Sequence, residues 1–68
     1  MKFNIGDKVK STKTIVANAN IEIRIGAKGV VDDSTDLSKF YGEDGKTYKV
    51  TFEDVLQVMV LEHSLELI

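Results

Sequence analysis

At 68 residues the chain has room for one small hydrophobic core and no second domain, which excludes a multi-domain enzyme. It has no cysteine, so disulfides, iron–sulfur clusters, cysteine-based zinc sites and thiol nucleophiles are excluded, and stability must come from packing or from association with another chain. Nine basic against eleven acidic residues give a net charge of −2, which argues against a dedicated nucleic-acid binder.

The charge is uneven along the chain: residues 1–30 carry six basic and two acidic groups, whereas residues 31–68 carry three and nine. No apolar run exceeds the four residues Val58–Leu61, far short of the roughly 20 that a membrane span needs, and the N-terminus lacks a signal-peptide pattern. The expected location is the cytoplasm.

Valine, isoleucine and threonine supply nineteen residues against three alanines, a composition that favours strands. From Lys2 to Val16 the pattern predicts an extended arm that begins with Phe3 and Ile5, turns at Gly6-Asp7 and continues through Val9 and Ile15. Ala17-Asn18-Ala19-Asn20 reads as a turn, because asparagine tolerates left-handed backbone. Ile21 to Ile25 alternates strictly, which sends three isoleucines to the core and Glu22 and Arg24 to water. Gly26-Ala27-Lys28-Gly29 breaks that strand before Val30-Val31, and Gly29 fits a bulge or a close backbone crossing.

Asp33 to Gly45 reads as a long polar connection, with Asp33 or Ser34 capping one helical turn that carries Leu37, Phe40 and Tyr41, and with a tight turn at Asp44-Gly45. Thr47 to Glu53 is the cleanest strand, with Tyr48, Val50 and Phe52 inward. Glu53-Asp54 joins it to a strand from Val55 to Leu61 that is apolar on both faces: Leu56, Val58 and Val60 on one, Val55, Gln57, Met59 and Leu61 on the other. Glu62-His63-Ser64 fits a single 3₁₀ turn before a last short strand, Leu65-Glu66-Leu67. Five short strands, one long connection after the second and one turn before the fifth describe a small, strongly bent all-β barrel formed by residues 1–68 as a single domain.

Gly6-Asp7-Lys8-Val9, Gly26-Ala27-Lys28-Gly29-Val30-Val31, Tyr48-Lys49-Val50-Thr51-Phe52 and Leu65-Glu66-Leu67-Ile68 together resemble an SH3-like barrel. The layout is similar to the electron-transport accessory group, which includes the variable chain of ferredoxin–thioredoxin reductase and the β-chain domain of nitrile hydratase. The resemblance implies a domain without chemistry of its own and without a cofactor, docking on a catalytic or redox partner.

A second resemblance is to the type II dihydrofolate reductases, SH3-like chains that form a tetrameric pore. Here Leu56-Gln57-Val58-Met59 stands where those chains carry V-Q-I-Y, and the resemblance implies cofactor binding through Gln57. Lys8, Lys10, Lys13 and Lys28 with Gly29 resemble a KOW-type RNA-binding element, which implies phosphate contacts. No aromatic residue is interleaved with them as a stacking platform.

His63 is the only histidine, so a Ser–His–carboxylate triad has to be built around it, and neighbouring Ser64 shares its tight turn instead of facing it across a cleft. A turn histidine is the simpler reading. Asp32, Asp33 and Asp36 crowd one segment without the spacing of an EF-hand loop, so turn or helix capping is the expected role and no metal is assigned. Phe40 and Tyr41 are adjacent aromatics in a polar segment, suited to an interface anchor. The row Val55, Gln57, Met59 and Leu61 is an uncharged, two-faced strand that needs cover from a second copy, a larger partner, or the Lys2–Ile5 segment. The expectation is a non-enzymatic interaction or accessory module, bound to a protein partner or to itself, with Phe40, Tyr41, Val55, Gln57, Met59 and Leu61 at the interface.

Overall fold

Strand alternation decides where the core forms. A computed structural model describes residues 2–53 and 56–68, in which the central strand β5 (Lys46–Phe52) buries Tyr48, Val50 and Phe52 and exposes Lys49, as the alternation predicts. β5 lies between β4 (Lys28–Asp36) and β6 (Leu56–Leu61); β4 in turn pairs with β1 (Lys8–Ser11), and β1 with β7 (Leu65–Leu67). Every pairing is antiparallel and the order across the sheet is β6-β5-β4-β1-β7. The chain leaves this sheet between β1 and β4 to make a two-stranded ribbon from β2 (Ile15–Asn18) and β3 (Ile21–Ile23).

The protein is therefore mostly strand and all-β, but the expected five-stranded barrel is corrected: the described residues form seven strands in two sheets, and the sheets do not close on themselves. The arm expected from Lys2 to Val16 divides at Thr12–Thr14, so that β1 and β2 belong to different sheets. Buried Ser11 marks the division. Its hydroxyl donates to the Arg24 carbonyl at 2.7 Å and accepts from the Ala27 N–H at 3.2 Å, tying the end of β1 to the turn after β3. That turn also corrects the reading of Ile21–Ile25. β3 stops at Ile23, Gly26 takes φ +87°, and Ile25 is left 67 % exposed instead of facing the core.

The connection expected from Asp33 is shorter than the sequence suggests. β4 continues to Asp36 through a bulge at Asp32, which leaves residues 37–45 to link β4 and β5. These form one helical turn, α1 (Ser38–Tyr41), and a 3₁₀ turn, Gly42–Gly45. Neither Asp33 nor Ser34 caps the helical turn; the Asp36 carboxylate accepts from the Ser38 N–H at 3.0 Å. The second 3₁₀ turn, Glu62–Ser64, and the last strand fall where alternation places them.

Phe3, Val9, Ile23, Val31, Tyr48, Val50, Phe52, Val60 and Leu65 form the core. Gly29 is required by a close approach of β4 to β5. A Cβ there would stand 2.7 Å from Val50 Cγ1 and 2.8 Å from the Thr51 carbonyl oxygen. The Gly29→Ala variant should lose about 1–3 kcal/mol through forced overpacking, read as a lower urea midpoint; an unchanged midpoint would show that β4 and β5 can separate freely.

Candidate protein-interaction surface

The surface is shaped first by one buried phenol. Tyr48 is fully buried, and its hydroxyl donates to the Glu62 carboxylate at 2.5 Å while accepting from the backbone N–H groups of Lys2 and Phe3, each at 3.1 Å. The Lys2 N–H also reaches Glu62 Oε2 at 3.0 Å. The Phe3 ring packs edge-on against Tyr48 with centroids 5.2 Å apart. The N-terminal segment is thus fixed at the end of the sheet nearest the second 3₁₀ turn, with Phe3 buried as a plug.

Burial raises the Tyr48 pKa, and the hydrogen bond to Glu62 adds to that shift. Glu62 moves the other way. Burial pushes its carboxyl up, but the Tyr48 hydroxyl, the Lys2 N–H and the charge of Lys46 outweigh that and hold it below its ordinary value.

With the N-terminal segment engaged there, the outer row of β6 is left without cover from it. Met59 is 58 % exposed, Gln57 is exposed and Leu61 is half-buried; Val55 lies outside the described residues. On the adjacent strand these residues face Lys49, Thr51 and Thr47 respectively. Gln57, on which the reductase resemblance rests, directs its side-chain amide to Asp32 Oδ2 at 2.9 Å, and the Thr51 hydroxyl donates to the same oxygen. Those two hydrogen bonds, from Thr51 first, hold the Asp32 carboxyl below its ordinary value. Sequence spacing alone does not reveal this bridge, because Asp32 is the extra residue of the β4 bulge.

Phe40 and Tyr41 are 78 % and 68 % exposed on α1, with ring centroids 6.5 Å apart, and Leu37 beside them is partly exposed. Both aromatics point to water. They belong to the connection that enters β5, the end at which Thr47 pairs with Leu61. Sequence reasoning missed exposed Val16 on β2, which reads as part of an extended arm and carries no local signal of exposure.

The remaining candidates are occupied by local structure. His63 is exposed on the second 3₁₀ turn, where Nδ1 lies 3.2 Å from Lys13 Nζ and Nε2 lies 3.5 Å from Asp44 Oδ1. Ser64 is buried next to it and is no nucleophile facing a cleft. Asp33 accepts from the Ser34 N–H, Asp36 accepts from Ser38, and among the described residues no three histidines or carboxylates converge as a metal site. Lys8, Lys10 and Lys28 lie on the outer face of β1 and β4, where Lys10 stands opposite Lys28 and pairs with Glu66 at 3.2 Å. A groove of about 590 Å³ runs between the turn after β3 and the end of β5, with buried Ile23 and Phe52 beneath and Glu22, Arg24 and Glu53 along it. Among the described residues no helix is long and apolar enough to cross a membrane. No family model, curated protein or solved structure matches the chain.

The Tyr48 cluster makes stability depend on pH in two directions. Glu62 titrates lower in the folded chain, so its contribution is present above the ordinary glutamate pKa of about 4.3 and fades as pH falls through the folded value. Tyr48 titrates higher, so its contribution is present below about pH 10 and is lost as pH rises through the folded value. Tyr48→Phe should cost about 1–3 kcal/mol at neutral pH, because the buried Phe3 N–H loses its acceptor. Glu62→Gln should flatten part of the acid limb of the stability profile. Urea midpoints measured from pH 3 to pH 8 check both, and a Glu62→Gln profile parallel to wild type would contradict the assignment.

Proposed function

We propose that the chain is a small SH3-like interaction or accessory module that docks on a protein partner or on a second copy of itself, without chemistry of its own. The observation that carries this reading is the set of large apolar side chains held in water by ordered structure: Phe40 and Tyr41 on α1 and Met59 in the middle of β6. Aromatic and methionine side chains are enriched at interface centres, and a small domain that exposes them in ordered elements gains most from burying them against another surface.

The SH3-like part of the proposal is supported by the chain path. An antiparallel sheet in the order β6-β5-β4-β1-β7, a hairpin excursion between β1 and β4 and a 3₁₀ turn before the last strand are consistent with that route, with the seam left open. Fold alone transfers no function, so the docking role rests on the exposed residues.

The test compares wild type with Met59→Lys and with the Phe40→Ala, Tyr41→Ala double variant. All three sites are exposed, so melting curves should agree within about 0.5 kcal/mol. Quantitative cross-linking and affinity capture should show partner recovery falling at least about tenfold, equivalent to about 1.4 kcal/mol, in one or both variants. Equal recovery with all three proteins would overturn the reading.

A further inference from the structure

The free side of β6 allows the docking reading to be made specific. β6 is an edge strand: it pairs with β5 on one side, and among the described residues no backbone hydrogen bond reaches Leu56–Leu61 from any other segment. The ribbon strand β2 comes alongside, but the residues that β2 and β6 turn to the core, Ile15 with Leu56 and Val58, are half-buried against that core, and no backbone hydrogen bond joins the strands.

Edge strands in monomers are commonly blunted by charge, brevity, proline or a bulge. β7, at the other edge of the sheet, is three residues long and carries Glu66, which pairs with Lys10. β6 has none of these devices: it is six residues long, unbulged in its pairing with β5, and contains no charged residue and no proline. Its outer row centres on Met59, with Gln57 and Leu61 two positions away on either side.

We propose that β6 pairs antiparallel with β6 of a second copy, about a two-fold axis at Met59, so that the two five-stranded sheets become one. This rests on the docking role proposed above and names its partner. The sequence of the strand selects a second copy over a foreign segment. In a two-fold interface the strand meets its own sequence in reverse, so a charge at its centre would face itself. Leu56–Leu61 carries no charge, and centring on Met59 sets the two Met59 side chains opposite one another and each Gln57 opposite a Leu61. Side-chain parity is preserved, so the outer row of one copy continues the outer row of the other. The shared edge would be roughly 17 Å long, from the five residues 57–61 at about 3.4 Å each, and would satisfy the outward N–H and C=O groups of both strands there.

Sedimentation equilibrium of the full chain from about 10 μM to 1 mM should show a reversible monomer–dimer equilibrium. Hydrogen exchange should slow with concentration at the outward amides of β6. Met59→Lys and Met59→Glu should each raise the dimer dissociation constant at least about tenfold, because like charges then meet at the axis, while both retain the wild-type circular dichroism. Mixing the two variants should restore a dimer, since opposite charges now meet. The control Ile25→Lys, exposed on the turn after β3, should leave the dimer unchanged. A wild-type chain that stays monomeric at 1 mM, a dimer indifferent to both Met59 variants, or a mixture that remains monomeric would each overturn the inference. A monomeric wild type whose partner capture still depends on Met59 would leave the docking role standing and remove only the second copy.

Discussion

The hydroxyl of Tyr48 is the constraint on which the arrangement depends. A phenol with no solvent exposure needs partners for its one donor and for its lone pairs, and an unpaired hydroxyl at that depth would cost more than the ring's burial comfortably offsets. The partners come from two distant parts of the chain: the backbone at Lys2 and Phe3, and Glu62 in the turn before the last strand. Meeting that single requirement seats Phe3 in the core and fixes the turn that delivers Leu65 to it. It also sets where the N-terminal segment cannot be. Held at the Tyr48 end, residues 2 and 3 are committed to the core and to Glu62 and give no cover to Met59.

The bulge at Asp32 does for the outer face what Tyr48 does for the inner one. Before it, Gly29 and Val31 face the core side of β4; after it, Ser34 stands opposite buried Tyr48, so inward positions change from odd to even numbers. The inserted residue leaves a carboxylate on the outer surface, where Thr51 and Gln57 converge on it from two successive strands. The middle of the outer face is thereby cross-tied across β4, β5 and β6. Met59, one step along β6 from that tie on the same face, is held in an ordered strand and not on a loose edge, which is what makes its exposure informative.

The parts of the structure visible in the sequence are those with unbroken local periodicity. β5 alternates over its full length, so Tyr48, Val50 and Phe52 could be assigned inward without knowing any neighbour. The 3₁₀ turn and short strand at the end were legible for a similar reason. The second half of β4 was not, because the bulge shifts the phase and the residues there are polar, leaving Asp33 to Asp36 to read as loop. Ile25 failed differently: the alternation of Ile21 to Ile25 is real, but Ser11, fourteen positions away, captures the Arg24 carbonyl and ends the strand early. Phe40 and Tyr41 were found as candidates from residue type, and Met59 from a strand apolar on both faces, whereas the bridge that occupies Gln57 required the fold.

An uncharged edge strand and a small core are linked by more than coincidence. A 68-residue chain with no disulfide has little stability to spare, and each added core residue must come from the same few strands. β6 contributes Val60 fully and Leu56 and Val58 in part to the core, which explains apolar residues on its inner face but gives no reason for Met59 on the outer one or for the absence of any lysine or glutamate along the strand. A monomer would gain solubility from a charge at exposed Met59 at little cost to packing. On the proposed pairing the free side of β6 becomes an internal position, and an outer row without charge is what that position requires.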